Sequence, residues 1–205
     1  TLTSWAVGPE SQVVVTELVV DQAGSALGLD RLDARMGPGG TGWTGRLEGV
    51  TLPGMSGELE AAWMGEKGRL DVTLDRLDVD ALRPVVQPWL EGPEGEAGAW
   101  DGIWAVELRT GPLTQGDLSL DQMALRGEWQ GGALEIESLD AEGMGGRVEA
   151  TGRVNGRAAR FDGVLMDGDL AKVLEGTSGL GQQTLLPRHV RGRVWAEGTV
   201  SHVFD

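Results

Sequence analysis

Three groups of residues have the type and spacing to do chemistry. Gly37, Gly39 and Gly42 stand in G-x-G-x-x-G order, and Gly40, Gly42 and Gly45 repeat it. That spacing holds a dinucleotide pyrophosphate when a strand precedes it and a helix comes after, so that free helical amides meet the phosphate. Residues 43–50, next in the chain, have the pattern of a strand, and the glycines read as a turn. Asp71, Asp75, Asp78 and Asp80, with Asp162, Asp167 and Asp169, are numerous enough for a hard cation. Calcium needs six to eight converging oxygens, and no D-x-D-x-D-G loop occurs, so these read as solvated strand positions and helix caps. His189 and His202 are the two histidines, and there is no Cys. Thiolate metal sites, disulfides and cysteine nucleophiles are thereby excluded, and no G-x-S-x-G elbow accompanies a serine. Paired carboxylates for glycoside hydrolysis are not singled out by any spacing. The sequence is read as carrying no catalytic, cofactor-binding or metal site, and the protein as not an enzyme.

Eight Trp stand against two Phe and no Tyr. Trp5, Trp43, Trp63, Trp89, Trp100, Trp104, Trp129 and Trp195 are spread along the chain, as core filling or as indoles facing an apolar groove. The formal net charge of −15 repels phosphate backbones and anionic membrane surfaces, so nucleic acid is not an expected partner. Glycine is the other anomaly: 34 of 205 residues, against ordinary usage of about 7%. Without Pro, Ser or Gln enrichment, that excess points to tight turns and bulges between strands. No apolar run approaches the roughly 20 residues of a spanning helix.

The elements that position these residues have a period of two. Leu70, Val72 and Leu74 alternate with Asp71, Thr73 and Asp75, and Val148, Ala150 and Val154 alternate with charged or polar neighbours. Trp104, Val106 and Leu108 share a parity, as do Leu134 and Ile136, and Leu59, Ala61 and Trp63. Such alternation marks strands with one apolar and one wet face. Asn155-Gly156 is a two-residue hairpin signal, and Glu66-Lys67-Gly68 occupies the equivalent place earlier. Residues 80–86 and 169–176 read as two short helices, each opening on an Asp cap, with Pro84 near the first turn. The fold class expected is all-β, with repeated antiparallel strand modules forming a curved sheet or groove.

Shifted by 89 residues without a gap, 46–80 falls on 135–169. Glu48, Gly54, Met55, Gly57, Glu60, Ala61, Asp78 and Asp80 then meet identical residues. Modules are expected at about 43–100 and 101–189, with a third opening at 190–205. Stacked repeats bury a core only against their neighbours, so a third module cut at Asp205 implies a longer native chain.

Residues 132–154 run as an apolar strand, a Gly-Gly turn at Gly145-Gly146, and a strand ending Thr151-Gly152-Arg153-Val154. This order, with Asp169-Leu170 and a new strand at Gly192 after it, resembles the AsmA/TamB-type repeat of periplasmic envelope proteins. The likeness runs over 117–200 and more loosely over 43–86. A type II secretion protein N-like chain is similar at a greater distance. The resemblance implies a periplasmic protein attached to the inner membrane through a segment outside this one. It also implies a long curved sheet with an apolar inner face, envelope-protein partners, and a part in phospholipid transport or outer-membrane biogenesis. On that implication the apolar parity lines a lipid groove: Leu59, Trp63, Leu70, Val72, Leu74, Trp104, Val106, Leu108, Leu134, Ile136, Val148, Ala150 and Val154. Phospholipid acyl chains are the expected ligand, with no cofactor. The alternative is a non-catalytic β-repeat scaffold, or a secretion-system component, whose core is closed. A carbohydrate-active solenoid is disfavoured, because solenoid coils run to roughly 20–30 residues.

Overall fold

In the computed structural model, which describes residues 2–5, 11–22, 25–37, 41–90, 102–155, 158–169 and 193–203, the alternating pattern becomes one long sheet and a single helix. The order is β1 (Leu2–Trp5), β2 (Gln12–Gln22), β3 (Ser25–Met36), β4 (Gly42–Leu52), β5 (Met55–Met64), β6 (Lys67–Asp78), α1 (Val79–Leu90), β7 (Ile103–Thr110), β8 (Leu113–Gln115), β9 (Leu118–Gln130), β10 (Ala133–Gly143), β11 (Gly146–Asn155), β12 (Ala158–Asp169) and β13 (Arg193–Val203). Spatial order matches chain order throughout, with β8 continuing β7 between β6 and β9. The fold is all-β, as the period of two requires. Neighbours pair antiparallel except at β6, which pairs parallel with β7 and β8. A parallel junction needs a crossover, and α1 lies in it.

The tight turns use the residues their geometry demands. Gly131 and Gly132 both have positive φ, at 58° and 80°, and so do Met144 and Gly145, at 52° and 72°. Two left-handed residues give a hairpin turn whose twist matches the strands it joins. The β5–β6 turn is Gly65-Glu66, because Met64 pairs with Lys67; the expected turn at Glu66-Lys67-Gly68 is displaced by one residue towards the N-terminus. Asn155 accepts from the Ala158 amide through Oδ1 at 2.8 Å and closes the β11–β12 hairpin.

One helix, not two, lies among the described residues. The second expected helix, 169–176, falls outside them beyond Asp169, which closes β12. α1 begins earlier than expected. Its cap is Asp78, whose Oδ1 accepts from the Ala81 amide at 3.0 Å. Asp80 in the first turn instead accepts from the Gly116 amide at 2.6 Å. Pro84 therefore sits in the helix interior, where it removes one intrahelical hydrogen bond.

The strands β4, β5 and β6 recur as β10, β11 and β12 with every start and end displaced by 91 residues. The 89-residue shift suggested by sequence identity is two short of that. An error of two preserves parity, so the faces it implies are right while the paired positions are not. At 91, Arg69 and Asp71 fall on Arg160 and Asp162, and both pairs are ion pairs in the structure, at 2.6 and 3.7 Å.

Candidate functional site

Cross-strand partners share a face, so the register lays the inward residues out in rows. The first row is Trp43, Trp63, Gly68, Trp104, Trp129, Leu134, Val154 and Ala159. The second runs Gly45, Ala61, Leu70, Val106, Gly127, Ile136, Gly152, Phe161. The third is Leu47, Leu59, Val72, Leu108, Leu125, Leu139, Ala150, Gly163, and the fourth Val50, Gly57, Leu74, Thr110, Met123, Ala141, Val148, Leu165. All thirteen residues named from parity stand on this one face. Thr110 is its single polar member in these four rows, and its hydroxyl donates to the Gly111 carbonyl at 3.2 Å.

Parity alone misses half the face. Trp129, Leu125 and Met123 alternate with Glu128, Arg126 and Gln122 and are open to the same reading. Leu139 and Ala141 are hidden by the bulge after Ile136, where the register slips. Phe161 and Leu165 are hidden by the glycine between them on the inward side.

No second sheet packs on this face among the described residues; the substantial contacts are between ladder neighbours, with α1 touching β6 and β8. Nevertheless Trp104, Ile136 and Ala141 are only 3–4% exposed. On an uncovered sheet with upright side chains they would be open to solvent, so the burial comes from neighbouring side chains leaning over one another. The indoles show this directly. Trp43 and Trp104 stand on strands three spacings apart, about 14 Å when flat, yet their ring centroids are 6.2 Å apart. Leu70, Trp104, Val106, Trp129 and Leu134 line a hollow of about 260 Å³ beside this cluster, with no charged group in its wall.

The opposite face carries charge in ladders. Arg46 bridges Glu48 and Glu58, Glu107 takes Arg109 and Arg126, Arg147 holds Asp140 and Glu149, and Arg153 meets Glu135, at 2.6–3.3 Å. Asp33 is held by Arg31, Arg35 and Gln12. The Arg35 guanidinium foremost, then the Gln12 amide, lowers its carboxyl to about 2, against partial burial that opposes the shift. These exposed pairs fix the wet face more than they stabilise it. A larger hollow of about 480 Å³ lies between β10 and β13 and is lined by Glu137, Asp140, Glu149, Asp162 and Glu197. Among its carboxylates, Asp140, Glu149 and Asp162 are engaged by Arg147, Arg160 and the Thr199 hydroxyl. Among the described residues no three His, Asp or Glu side chains converge as metal ligands.

The two rims differ. Beside the tryptophan row, Arg35, Arg69, Arg153 and Arg160 alternate with the inward residues and so lie on the opposite face, paired with Asp33, Asp71, Glu135 and Asp162 in turn. The far rim is acidic. Asp75 and Asp78 end β6, Asp80 opens α1, and Asp117 sits between β8 and β9. Asp121 lies early in β9, Glu142 late in β10, and Asp167 and Asp169 close β12, against Arg76, Arg83 and Arg147.

Gly42 of the G-x-G-x-x-G spacing opens strand β4 and not a helix, which removes the amide cradle a pyrophosphate needs. His189 and the side chains of Trp5, Trp89, Trp100, Trp195 and His202 lie outside the described residues. No helix of the described residues is long and apolar enough to cross a membrane. No family model, no curated protein and no solved structure matches the chain.

Proposed function

We propose that this chain is a non-enzymatic, lipid-handling segment of an AsmA-like envelope protein, whose curved apolar face carries phospholipid acyl chains during phospholipid transport or outer-membrane biogenesis. In this reading the segment works in the periplasm beside other envelope proteins, held to the inner membrane by sequence outside the segment. The observation that supports it is the continuous apolar face, several rows deep, with no second layer over it among the described residues. An open face of that extent is the usual mark of a surface that meets another apolar body. Acyl chains suit it because they are non-directional ligands, and the face offers contact area without a patterned set of donors and acceptors. Its curvature would wrap a chain on more than one side.

The burial of Trp104 and Ile136 favours a second reading, a structural β-repeat or secretion-system component whose face closes largely on itself. Solvent extraction of the purified chain followed by mass spectrometry separates the two. Co-purifying phospholipid in stoichiometric amount is expected; a protein that carries none, and takes none up from vesicles, belongs to the scaffold reading.

A further inference from the structure

We infer that this chain pairs edge to edge with further copies of itself: the open edge of β2 takes the open edge of β13 from the next copy, so that one sheet runs on from molecule to molecule. The pairing is made by backbone and stands apart from whatever the apolar face carries.

Both edges are open and unguarded. β1 covers β2 only at Val13, Val14 and Val15. Residues 18–22 pair regularly with β3 on one side and have no strand on the other among the described residues. β13, 11 residues long, has β12 on one side and, among the described residues, no strand beyond it. An unpaired edge offers a row of N–H and C=O groups to any strand that fits, and monomeric proteins commonly guard it with Lys or Pro. Neither stretch holds a Lys or a Pro. Instead Val19 is 72% exposed and Leu18 37%, and residues 196–199 of β13 are exposed as well.

The two edges also fit one another. Nine antiparallel steps and one parallel step separate β2 from β13, so β13 runs opposite to β2. A second copy set beside the first in the same orientation therefore brings its β2 antiparallel to β13, and antiparallel partners share a face. The apolar face reaches both edges. Val15 joins its third row through Leu32 and Leu47, and Gly198 joins the same row through Gly163. The next copy continues that row. Joining strand modules at their edges is also how the chain is built within itself, where β7 adds to β6. Because the two surfaces differ, the contact is head-to-tail and gives an open series instead of a closed dimer.

The test is the mass of the purified chain in solution, by sedimentation equilibrium from about 1 μM to 1 mM, the range in which open edges associate. Salt at about 0.3 M screens the repulsion between chains of net charge −15. The weight-average mass is expected to climb with concentration past that of a dimer. Two variants, each blocking one edge, test the geometry. Val19→Lys puts a cation on the β2 edge; Gly198→Lys puts one on the β13 edge, where a Cβ meets nothing within 4 Å. Each alone should stay monomeric where the parent associates, with unchanged circular dichroism. Mixed in equal amounts, they should form a one-to-one dimer and stop there, through the one β13 edge and the one β2 edge left intact. A parent that stays monomeric throughout, or halts at a dimer, overturns the proposal. So does a folded variant that associates as strongly as the parent, or a mixture of folded variants that remains monomeric. The parent's concentration series decides by itself should a variant not fold.

Discussion

Trp63 and Trp104 stack with ring centroids 5.0 Å apart across Gly68, their shared partner on the intervening strand β6. The contact exists because position 68 has no side chain. A Cβ there would lie 2.3 Å from the Trp104 indole. The glycine lets two rings from β5 and β7 meet over the strand between them, beside the parallel β6–β7 pairing.

Gly68→Ala is accordingly expected to destabilise the protein by about 1–3 kcal/mol, the usual cost of overpacking. The same substitution in a Trp104→Leu background should cost clearly less, since the two sites share one contact. Chemical denaturation of the four-member cycle measures this. Equal costs in both backgrounds would show that the ring is not what position 68 accommodates.

How much of this is legible in the sequence depends on what breaks a period of two. Leu70, Val72 and Leu74 alternate without interruption, and their face is plain. Leu139 comes after a bulge and Phe161 precedes an inward glycine, so their parity gives no continuous signal although they lie on the same face. The repeat is visible from its glycines and acids, but at a shift of 89, because a bulge moves locally by a residue or two while strand ends do not. The parallel junction is invisible: a helix between two strands says that a crossover is available, not which way the next strand will run. The cap shifts from Asp80 to Asp78 because both are Asp, and only the end of β6 decides between them.

The cap makes a second prediction. Asp78→Ala should cost about 1 kcal/mol through the lost bond to the Ala81 amide, and Asp78→Ser should restore most of it. Thermal unfolding of the two variants is the check, with Asp78→Ser as unstable as Asp78→Ala being the contrary result.

Two glycines should respond differently to the same change. At Gly65, φ is +62° and a Cβ meets nothing within 4 Å, so Ala costs only the left-handed penalty of about 1–2 kcal/mol. At Gly57 a Cβ would lie 2.2 Å from the Thr73 carbonyl oxygen. Backbone cannot yield there without opening the β5–β6 ladder. Gly57→Ala should therefore be the more damaging substitution by denaturant midpoint.

Acid should find Asp33. Its carboxyl is lowered from 3.8 to about 2 by Arg35 and Gln12. A depressed folded-state value means that the contribution is complete above 3.8 and is lost as pH falls through about 2. Asp33→Asn removes that window, so its stability should fall less steeply with acid over this range than the parent's. Parallel slopes would mean that the Arg35–Asp33 pair adds nothing to the fold.

The central claim is that the face bearing Val72 and Val148 is covered by acyl chain and not by protein. Both side chains are half-buried, in the third and fourth rows. If a lipid is the cover, Val72→Asp and Val148→Asp place a carboxylate where water can reach it once the chain has left. In a sealed core, the same charge would be trapped without a partner and would cost the fold. The deciding measurement is bound phospholipid per protein by mass spectrometry, taken with the thermal midpoint of each variant. Loss of lipid with the midpoint largely kept is the predicted result; gross unfolding of both variants, or a parent protein that never holds lipid, would contradict it.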